Sequence, residues 1–258
     1  MNMTYKLVGV SFWILFSLIG LMCLFFDASV TWLIVPSLLY MAVTIYGSSC
    51  IEANYYTDSY CTGNSSEKII ALTFDDGPNG QYTPSVLELL AKYNATATFF
   101  VIGKNILGNE AILTKADSEG HCIGNHTFSH SYLIDFKRVL GFKHELEQTS
   151  EIVFKLIGKK MRLFRPPYGV TTSSLAKALR ILNYIVVGWN IRSFDTTKAS
   201  TSTISQRIQR QIKPGSIILL HDTSDKIIHV LEETLNYVKE NDYKVVSLEQ
   251  LLGEVAYS

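Results

Sequence analysis

IIALTFDDG, residues 69–77, is an apolar run that ends in two adjacent carboxylates and a glycine. Its β-branched and aromatic residues predict a buried strand from Ile69 to Phe74. The two carboxylates, Asp75 and Asp76, are costly to place at the end of such a strand unless a cation or a hydrogen-bond donor compensates them. The Gly-Pro pair within the next residues favours a turn, but a turn needs only one aspartate. The stretch therefore predicts a strand that ends in a polar site.

Beyond this stretch, short β-rich apolar runs alternate with longer helical patterns, which is typical of βα units around a parallel sheet. About seven such units favour a barrel, distorted or incompletely closed, over an open sheet. We therefore predict an α/β fold, a distorted (β/α) barrel of about seven units. The predicted strands are Ile69–Phe74, Ala97–Ile102, His121–Gly124, Arg162–Phe164, Tyr184–Gly188, Ser216–Leu220 and Lys244–Val246, and the predicted helices are Thr83–Tyr93, Glu110–Glu119, Phe142–Ile157, Ser173–Leu182, Ser202–Ile212 and Asp225–Lys239.

The first 50 residues differ from the rest in composition, because Lys6 and Asp27 are their only charged residues. Two uncharged runs, residues 7–26 and 28–46, are each long enough to cross roughly 30 Å of hydrocarbon as a helix at about 1.5 Å per residue. The alternative is a cleaved signal peptide, but the first run exceeds a typical signal core and no clear small-residue cleavage site follows it. We predict a transmembrane helical hairpin within residues 1–50, a linker over 51–67 and a catalytic domain over 68–258.

The charge distribution bears on partners and location. The chain has 23 basic and 23 acidic residues, so it lacks the basic surface of a nucleic-acid-binding protein, and no nucleic-acid partner is expected. The hairpin makes the membrane an expected partner. No Lys or Arg lies between Gly47 and Glu67, which favours an extracytoplasmic catalytic domain, whereas Lys6 favours the opposite orientation. Cys50 and Cys61 could pair in an oxidising compartment, and four free thiols are the alternative.

Polar clusters follow the ends of five predicted strands. The carboxyl ends of the strands in a βα barrel share one face, and active sites are built on that face. We therefore expect the clusters to lie close together. They are Asp75-Asp76-Gly77, Asn125-His126, Arg165-Pro166-Pro167-Tyr168, Trp189-Asn190 and His221-Asp222.

The segment HTFSH places two imidazoles, His126 and His130, four residues apart. On a helical turn both would project from one face and could share a metal ion. With one aspartate they form a three-ligand site of mixed nitrogen and oxygen type, which leaves positions open for water and substrate. Such a site suits Zn²⁺ or another divalent transition ion, with Co, Ni and Mn as the alternatives. The second aspartate could then act as a base toward water, and His221 is the candidate acid for the leaving group.

Four motifs, which follow one another along the chain in the family's order, resemble those of the NodB-like polysaccharide deacetylases, carbohydrate esterase family 4. The resemblance covers the chain from Lys68 to Leu252. It implies a metal-dependent hydrolase that removes N-acetyl groups from an amino-sugar polysaccharide or oligosaccharide of the peptidoglycan or chitin type. The motifs are Thr73-Phe74-Asp75-Asp76-Gly77, the His126/His130 pair, Arg165-Pro166-Pro167-Tyr168 and Leu220-His221-Asp222.

The resemblance also implies a role for each matching residue. Asp75 would be the general base, and Arg165 would orient and ionise it through a charge-assisted contact. The backbone N–H of Tyr168 would join the metal in stabilising the oxyanion, and His221 would protonate the departing amine. The other implied residues are the metal ligands Asp76, His126 and His130, and the pocket walls Trp189 and Leu219.

One position departs from the family pattern. Three residues after Trp189, where the family commonly has an aspartate, this chain has Arg192. A cation beside His221 would depress the pKa of the acid instead of raising it. We therefore expect Asp195 to be the partner of His221.

Two other functions stay open at this point. Hydrolysis of an O-acetyl ester or of a lipid-linked sugar would use the same chemistry, and the membrane hairpin gives the lipid-linked substrate some support. A catalytically silent, membrane-held glycan-binding protein would be compatible with the departure at Arg192. The presence of base, ligands and acid argues against the silent protein.

Overall fold

The computed structural model describes residues 3–258, in which nine strands form one curled sheet with helices packed against it. The strands are β1 (Ser59–Tyr60), β2 (Ile69–Asp75), β3 (Ala97–Val101), β4 (Cys122–Asn125), β5 (Leu163–Phe164), β6 (Ile185–Val187), β7 (Ile191–Arg192), β8 (Ile217–His221) and β9 (Lys244–Val245). The helices are α1 (Met3–Phe25), α2 (Ile34–Ser49), α3 (Thr83–Lys92), α4 (Gly103–Ile106), α5 (Glu110–Ser118), α6 (Val139–Ile157), α7 (Ser173–Ile181), α8 (Thr201–Gln211), α9 (Lys226–Glu240) and α10 (Leu248–Leu252).

The sheet runs in the order β1-β6-β5-β4-β3-β2-β8-β7, with all pairs parallel, and β9 pairs with the start of β2. Within residues 3–258, β1 and β7 do not pair with one another, so the sheet is a half-barrel and not a closed barrel. The predicted α/β class is confirmed, and each predicted strand is present within one residue at either end. The sequence does not predict β1 and β7, because each has two residues and no apolar run.

Strand β2 is buried on both faces, which explains its unbroken apolar run. Leu72 and Phe74 point outward into the core formed with the surrounding helices. Thr73 and Asp75 point inward, where both contact Arg165. Because side chains alternate along a strand, the apolar residues of β2 pack against the helices while its polar residues face the inside of the half-barrel. Asp75, the last residue of β2, therefore lies at the open end.

Helices α1 and α2 form a hairpin in which Phe12 stacks on Tyr40, with the ring centroids 4.4 Å apart. Their outer faces expose large apolar side chains, Trp13 and Val35 among them. By length and composition both helical segments, Thr4–Phe25 and Val30–Ser49, are possible membrane spans. Pro36 lies in the first turn of α2, where a missing N–H removes no helical hydrogen bond.

The end of α2 is fixed to the half-barrel by two hydrogen bonds, which we call the Ser48–Thr171 bridge. The Thr171 N–H donates to the Ser48 carbonyl oxygen at 2.9 Å, and the Ser48 hydroxyl donates to the Thr171 carbonyl oxygen at 2.6 Å. Residues 51–67, predicted as a linker, contain β1 and bury Tyr55 against Tyr5 of α1. The hairpin and the half-barrel are therefore packed together.

The four cysteines, Cys23, Cys50, Cys61 and Cys122, are free thiols. Of the two alternatives for Cys50 and Cys61, the structure shows the unpaired one. Burial raises the pKa of the Cys61 thiol, and it raises the pKa of Cys122 to about 12. Both thiols therefore stay protonated and unreactive near neutral pH.

Candidate active site

The carboxyl ends of four strands bring the polar clusters to one face of the half-barrel. Asp75 ends β2 and His221 ends β8, and these two residues are register partners on adjacent strands. Asn125, which ends β4, precedes His126 directly, and Arg165 follows the last residue of β5. The clusters that the sequence predicts to meet do lie together.

Asp76, His126 and His130 form a compact set of possible metal ligands, which we call the ligand group. One ligand atom from each residue lies within 4.8 Å of the others. Oδ1 of Asp76 lies 3.5 Å from Nε2 of His126 and 3.4 Å from Nε2 of His130. That oxygen is buried and has no hydrogen-bond partner in the described part of the chain. A buried carboxylate oxygen that faces two imidazole nitrogens without bonding to either fits a cation held between them.

The second nitrogen of His126 fixes the tautomer of this imidazole. Nδ1 lies 2.8 Å from the carbonyl oxygen of Arg165, which can only accept, so Nδ1 carries the hydrogen. Nε2 then presents its lone pair toward Asp76, as a metal ligand requires. Burial, reinforced by His126, lowers the pKa of His130, which keeps the second imidazole neutral.

The two histidines do not lie on a helical turn, so the helical expectation for this segment is wrong. The chain between them is a loop after β4, in which φ is +67° at Thr127 and +45° at His130. These left-handed residues bring the rings of His126 and His130 to a centroid distance of 4.9 Å. His126 and His130, four residues apart, are thus brought together by a loop that side chains outside the segment stabilise, and not by helical hydrogen bonds.

Glu145, on α6, holds this loop and is a site residue that the sequence does not predict. Its carboxylate accepts hydrogen bonds from the N–H groups of Phe128 and Ser129, at 3.0 and 2.7 Å, and from the Ser129 hydroxyl at 2.9 Å. Lys137 pairs with the same carboxylate at 2.7 Å. The signal in the sequence is a glutamate on the mostly apolar buried face of an amphipathic helix, where a charged residue is rarely found without a partner.

Arg165 is fully buried, and each of its three guanidinium nitrogens donates at least one hydrogen bond. Nη1 donates to Asp75 Oδ1 at 2.8 Å and to Thr73 Oγ1 at 2.7 Å. Nε and Nη2 donate to two backbone carbonyl oxygens at the end of β6, at 3.1 and 2.7 Å. The guanidinium therefore fixes one oxygen of Asp75 and leaves Oδ2, 3.9 Å from Nε2 of His126, facing the ligand group.

Asp195 contacts His221, as expected from the sequence. Oδ1 of Asp195 lies 2.8 Å from Nδ1 of His221, and Oδ2 accepts a hydrogen bond from the His221 backbone N–H at 2.7 Å. The guanidinium of Arg192 lies instead over the rings of Trp189 and Phe194, at 5.9 and 5.0 Å. Burial acts to lower the pKa of His221, but Asp195 and the nearby aspartates outweigh it and raise that pKa to about 9. His221 is therefore protonated at neutral pH, as a general acid must be.

The three other predicted residues, Tyr168, Trp189 and Leu219, lie on the same side of the half-barrel. Tyr168 has a left-handed backbone, φ +58°, and its hydroxyl oxygen lies 3.3 Å from Nδ1 of His130. The Trp189 ring covers Gly169, where an added Cβ would come within 2.7 Å of it. Leu219 is buried on the inward face of β8, two residues before His221.

Asp222 lies behind the site and is fully buried. It accepts a hydrogen bond from the Thr83 hydroxyl, and its Oδ1 has no partner in the described range. A Cβ at Gly77 would lie 2.5 Å from Asp222 Oδ2, so only glycine fits at the turn after Asp76. Burial raises the pKa of Asp222 to about 7. The sequence marks this residue as part of a cluster but does not assign it a role.

The assembled face offers the groups that hydrolysis of an amide or ester requires. It has one carboxylate whose second oxygen is unshared, a set of possible metal ligands beside it, and a protonated imidazole on the adjacent strand. A base, an electrophile site and an acid at one opening are the elements of acid–base hydrolysis.

Comparison with known proteins identifies similar chains. A family model described as polysaccharide deacetylase matches residues 62–187. The peptidoglycan-N-acetylmuramic acid deacetylase PdaA of Bacillus subtilis is 34% identical over 201 residues, which cover 76% of this chain and 76% of that protein. A peptidoglycan-N-acetylglucosamine deacetylase of Bacillus cereus is 36% identical over 154 residues, 60% of this chain and 56% of that protein. The crystal structure of the Bc1960 peptidoglycan N-acetylglucosamine deacetylase superposes with a TM-score of 0.74 at 29% identity, over 78% of this chain and 95% of that one.

Proposed function

The chain belongs to the polysaccharide deacetylase family, and on that basis we propose that it is a membrane-held, metal-dependent hydrolase that removes N-acetyl groups from an amino-sugar glycan. The family resemblance of the motifs is confirmed, and the chain is a deacetylase. The observation that carries the finer proposal is that Asp75, the ligand group and His221 meet at one opening.

We propose that the ligand group holds one divalent ion, with Zn²⁺ preferred and Co, Ni and Mn as alternatives. One carboxylate oxygen and two imidazole nitrogens are a donor set that Zn²⁺ takes in hydrolytic sites. The unpartnered Oδ1 of Asp76 supports the proposal. When bound, such an ion would polarise the amide carbonyl and lower the pKa of water.

The chain's own residues would perform the remaining steps. Asp75 would accept a proton from the attacking water through its unshared oxygen, while Arg165 keeps the other oxygen fixed. The backbone N–H of Tyr168 would donate to the developing oxyanion. His221 would then donate its proton to the departing amine, and Asp195 would hold the imidazolium in place. The acetyl methyl group would pack between Trp189 and Leu219.

Peptidoglycan is the proposed substrate class, since the two relatives described above are named for deacetylation of its N-acetylmuramic acid and N-acetylglucosamine units. Chitin-type oligomers are the simpler soluble substitute, because they carry the same N-acetyl group on the same ring. A direct test is acetate release from both substrates by the full chain in detergent. We expect release that a chelator suppresses at least about tenfold and that added Zn²⁺ restores.

The alternatives give different results in the same assay. Release that persists in chelator would contradict metal dependence. Acetate from an O-acetyl ester, with none from N-acetylated glycan, would identify an esterase. Binding of glycan without any release would identify a silent binding protein.

The pH dependence of kcat/KM tests the acid. We expect kcat/KM to fall above about pH 9, because His221 must keep its proton and its pKa is raised to about 9. In Asp195→Asn the fall is expected to begin at a lower pH, since the hydrogen bond and charge of Asp195 that raise this pKa are lost while burial still lowers it. The control is Asp242→Asn, at a left-handed position that asparagine tolerates. An unshifted alkaline limb in Asp195→Asn would remove Asp195 as the partner of the acid.

We propose that α1 and α2 span the membrane and that residues 68–258 form the catalytic domain on the extracytoplasmic side. Length, composition and the exposed apolar faces of both helices support the spans. The extracytoplasmic side agrees with a peptidoglycan substrate and with the absence of Lys and Arg from residues 47–67. A topology reporter fused after Ser258 measures the orientation directly.

A further inference from the structure

A cavity of about 290 Å³ lies beside the proposed active site. Its walls come from the end of α2 with the segment that follows, from Tyr168, and from the chain between Trp189 and Phe194. Tyr168 joins it to the ligand group, because the tyrosine hydroxyl contacts His130. The cavity is at the small end of the volume range of ligand pockets. It is therefore placed and sized for one sugar unit next to the reacting unit.

Arg192 is the cation of this cavity. It is the register partner of Leu219, and Ile191 before it points into the outer core, so Arg192 lies on the inner side of the sheet. Within residues 3–258 no carboxylate comes within 4.0 Å of the Arg192 guanidinium. Glu52 lines the same cavity but does not pair with Arg192. The cavity thus contains an exposed guanidinium that has no ion-pair partner in the part of the chain that the structure describes.

The surroundings of Arg192 are those of an anion site and not of a structural clamp. A structural role would be to hold Phe194 and, through it, the loop that carries Asp195. Arg207 already does this, since its guanidinium lies 5.0 Å from the Phe194 ring and its Nη1 donates to the Ser193 carbonyl oxygen at 3.1 Å. Among the described residues Arg192 makes ring contacts alone, and these leave its N–H groups free for a ligand.

We propose that this cavity selects glycans in which the unit beside the reacting sugar carries an anionic oxygen group, held by Arg192. The proposal rests on the proposed deacetylase function. A guanidinium binds a carboxylate or phosphate through two parallel hydrogen bonds, and the Trp189 ring offers a face for the apolar side of a sugar ring. The carboxylate of an acidic amino sugar is the ligand we favour. The phosphate of a lipid-linked sugar is the other source of the same chemistry.

The test compares one glycan in charged and neutral forms. The substrates are a peptide-free oligomer of N-acetylglucosamine and N-acetylmuramic acid and the same oligomer with its carboxylates methyl-esterified. For the unmodified protein we expect kcat/KM to be about 10-fold to 100-fold higher for the free acid, mostly through KM, because hydrogen bonds to a charged group are worth about 1.5–3 kcal/mol. In Arg192→Gln that ratio is expected to fall to near one, and Arg192→Lys is expected to retain part of it. Arg180→Gln, which removes an exposed cation of α7, is the matched control and should keep the full ratio.

The possible failures are distinguishable. Metal-dependent release with equal kcat/KM for the two forms would overturn the inference and leave the proposed function intact. No release from either form by the unmodified protein would overturn both. A third substrate, a lipid-linked N-acetylated sugar phosphate compared with its neutral glycoside, separates the sources. A preference for that phosphate that exceeds the carboxylate preference, and is lost in Arg192→Gln, would assign the cavity to phosphate.

Discussion

Asp75→Asn is expected to lower kcat by about 10²-fold to 10⁴-fold, the usual contribution of a general base. The asparagine can keep the hydrogen bond from Arg165 to Oδ1, because its carbonyl oxygen can take that position. The atom that faces the ligand group then becomes an amide nitrogen, which cannot accept a proton from water. The variant therefore removes proton transfer and leaves the shape of the site unchanged.

The measurement is acetate release at saturating substrate, together with metal content and melting temperature. Metal content should stay the same, since Asp75 is not proposed as a ligand. The melting temperature should fall, because loss of one partner of a buried ion pair costs about 3–5 kcal/mol, although the other hydrogen bonds of Arg165 remain. Asp242→Asn again serves as the control. A kcat within fivefold of the unmodified protein, in a folded variant that retains its metal, would exclude Asp75 as the base.

His126→Ala is expected to remove the bound metal and to lower kcat/KM by more than about 100-fold. The lower limit follows from residues that only support a metal ligand, which typically cost 10-fold to 100-fold when changed. His126 is fully buried between the Arg165 carbonyl oxygen and Asp76, so it cannot be replaced by a neighbouring donor without a movement of the loop. Metal per chain, measured by elemental analysis, is the readout that is independent of activity.

The matched control for that variant is His229→Ala. His229 is an exposed histidine on α9 that pairs with Glu233, on the outside of the half-barrel. It should retain both metal and activity. A His126→Ala variant that still holds one ion per chain would show that the ligand group has been assigned wrongly.

The strands could be predicted because their signal is local. Runs such as residues 69–74 and 97–101 are buried on both sides, so their composition alone marks them. The two strands at the ends of the sheet, β1 and β7, are strands because each pairs with a neighbouring strand. Nothing in the sequence of Ser59–Tyr60 or Ile191–Arg192 predicts that pairing. Whether the barrel closes depends on whether the two edge strands, β1 and β7, pair with each other, and the sequence of no single segment determines this.

The site was predictable for the same reason and to the same limit. Asp75, His126 and His221 stand beside apolar strands, so their polarity is conspicuous in the sequence. The contact of Asp195 with His221 could be expected because a cation at Arg192 would oppose an acid. Glu145 could not be placed, because it acts on a loop some 16 residues earlier in the chain through backbone N–H groups that have no sequence signature.

The Ser48–Thr171 bridge limits how far the catalytic opening can move away from the end of α2. It joins the last turn of α2 to the loop that follows Tyr168, so the catalytic opening has no stalk on which to swing outward. With α1 and α2 as membrane spans, the opening would be confined to a layer no deeper than the domain itself, roughly 40 Å for a body of this size. Glycan strands would be edited while they still lie against the bilayer, and strands already displaced into outer wall layers would be out of reach. How recently a glycan strand was made and how far it lies from the membrane, as well as its chemistry, would then determine which sugars lose their acetyl groups.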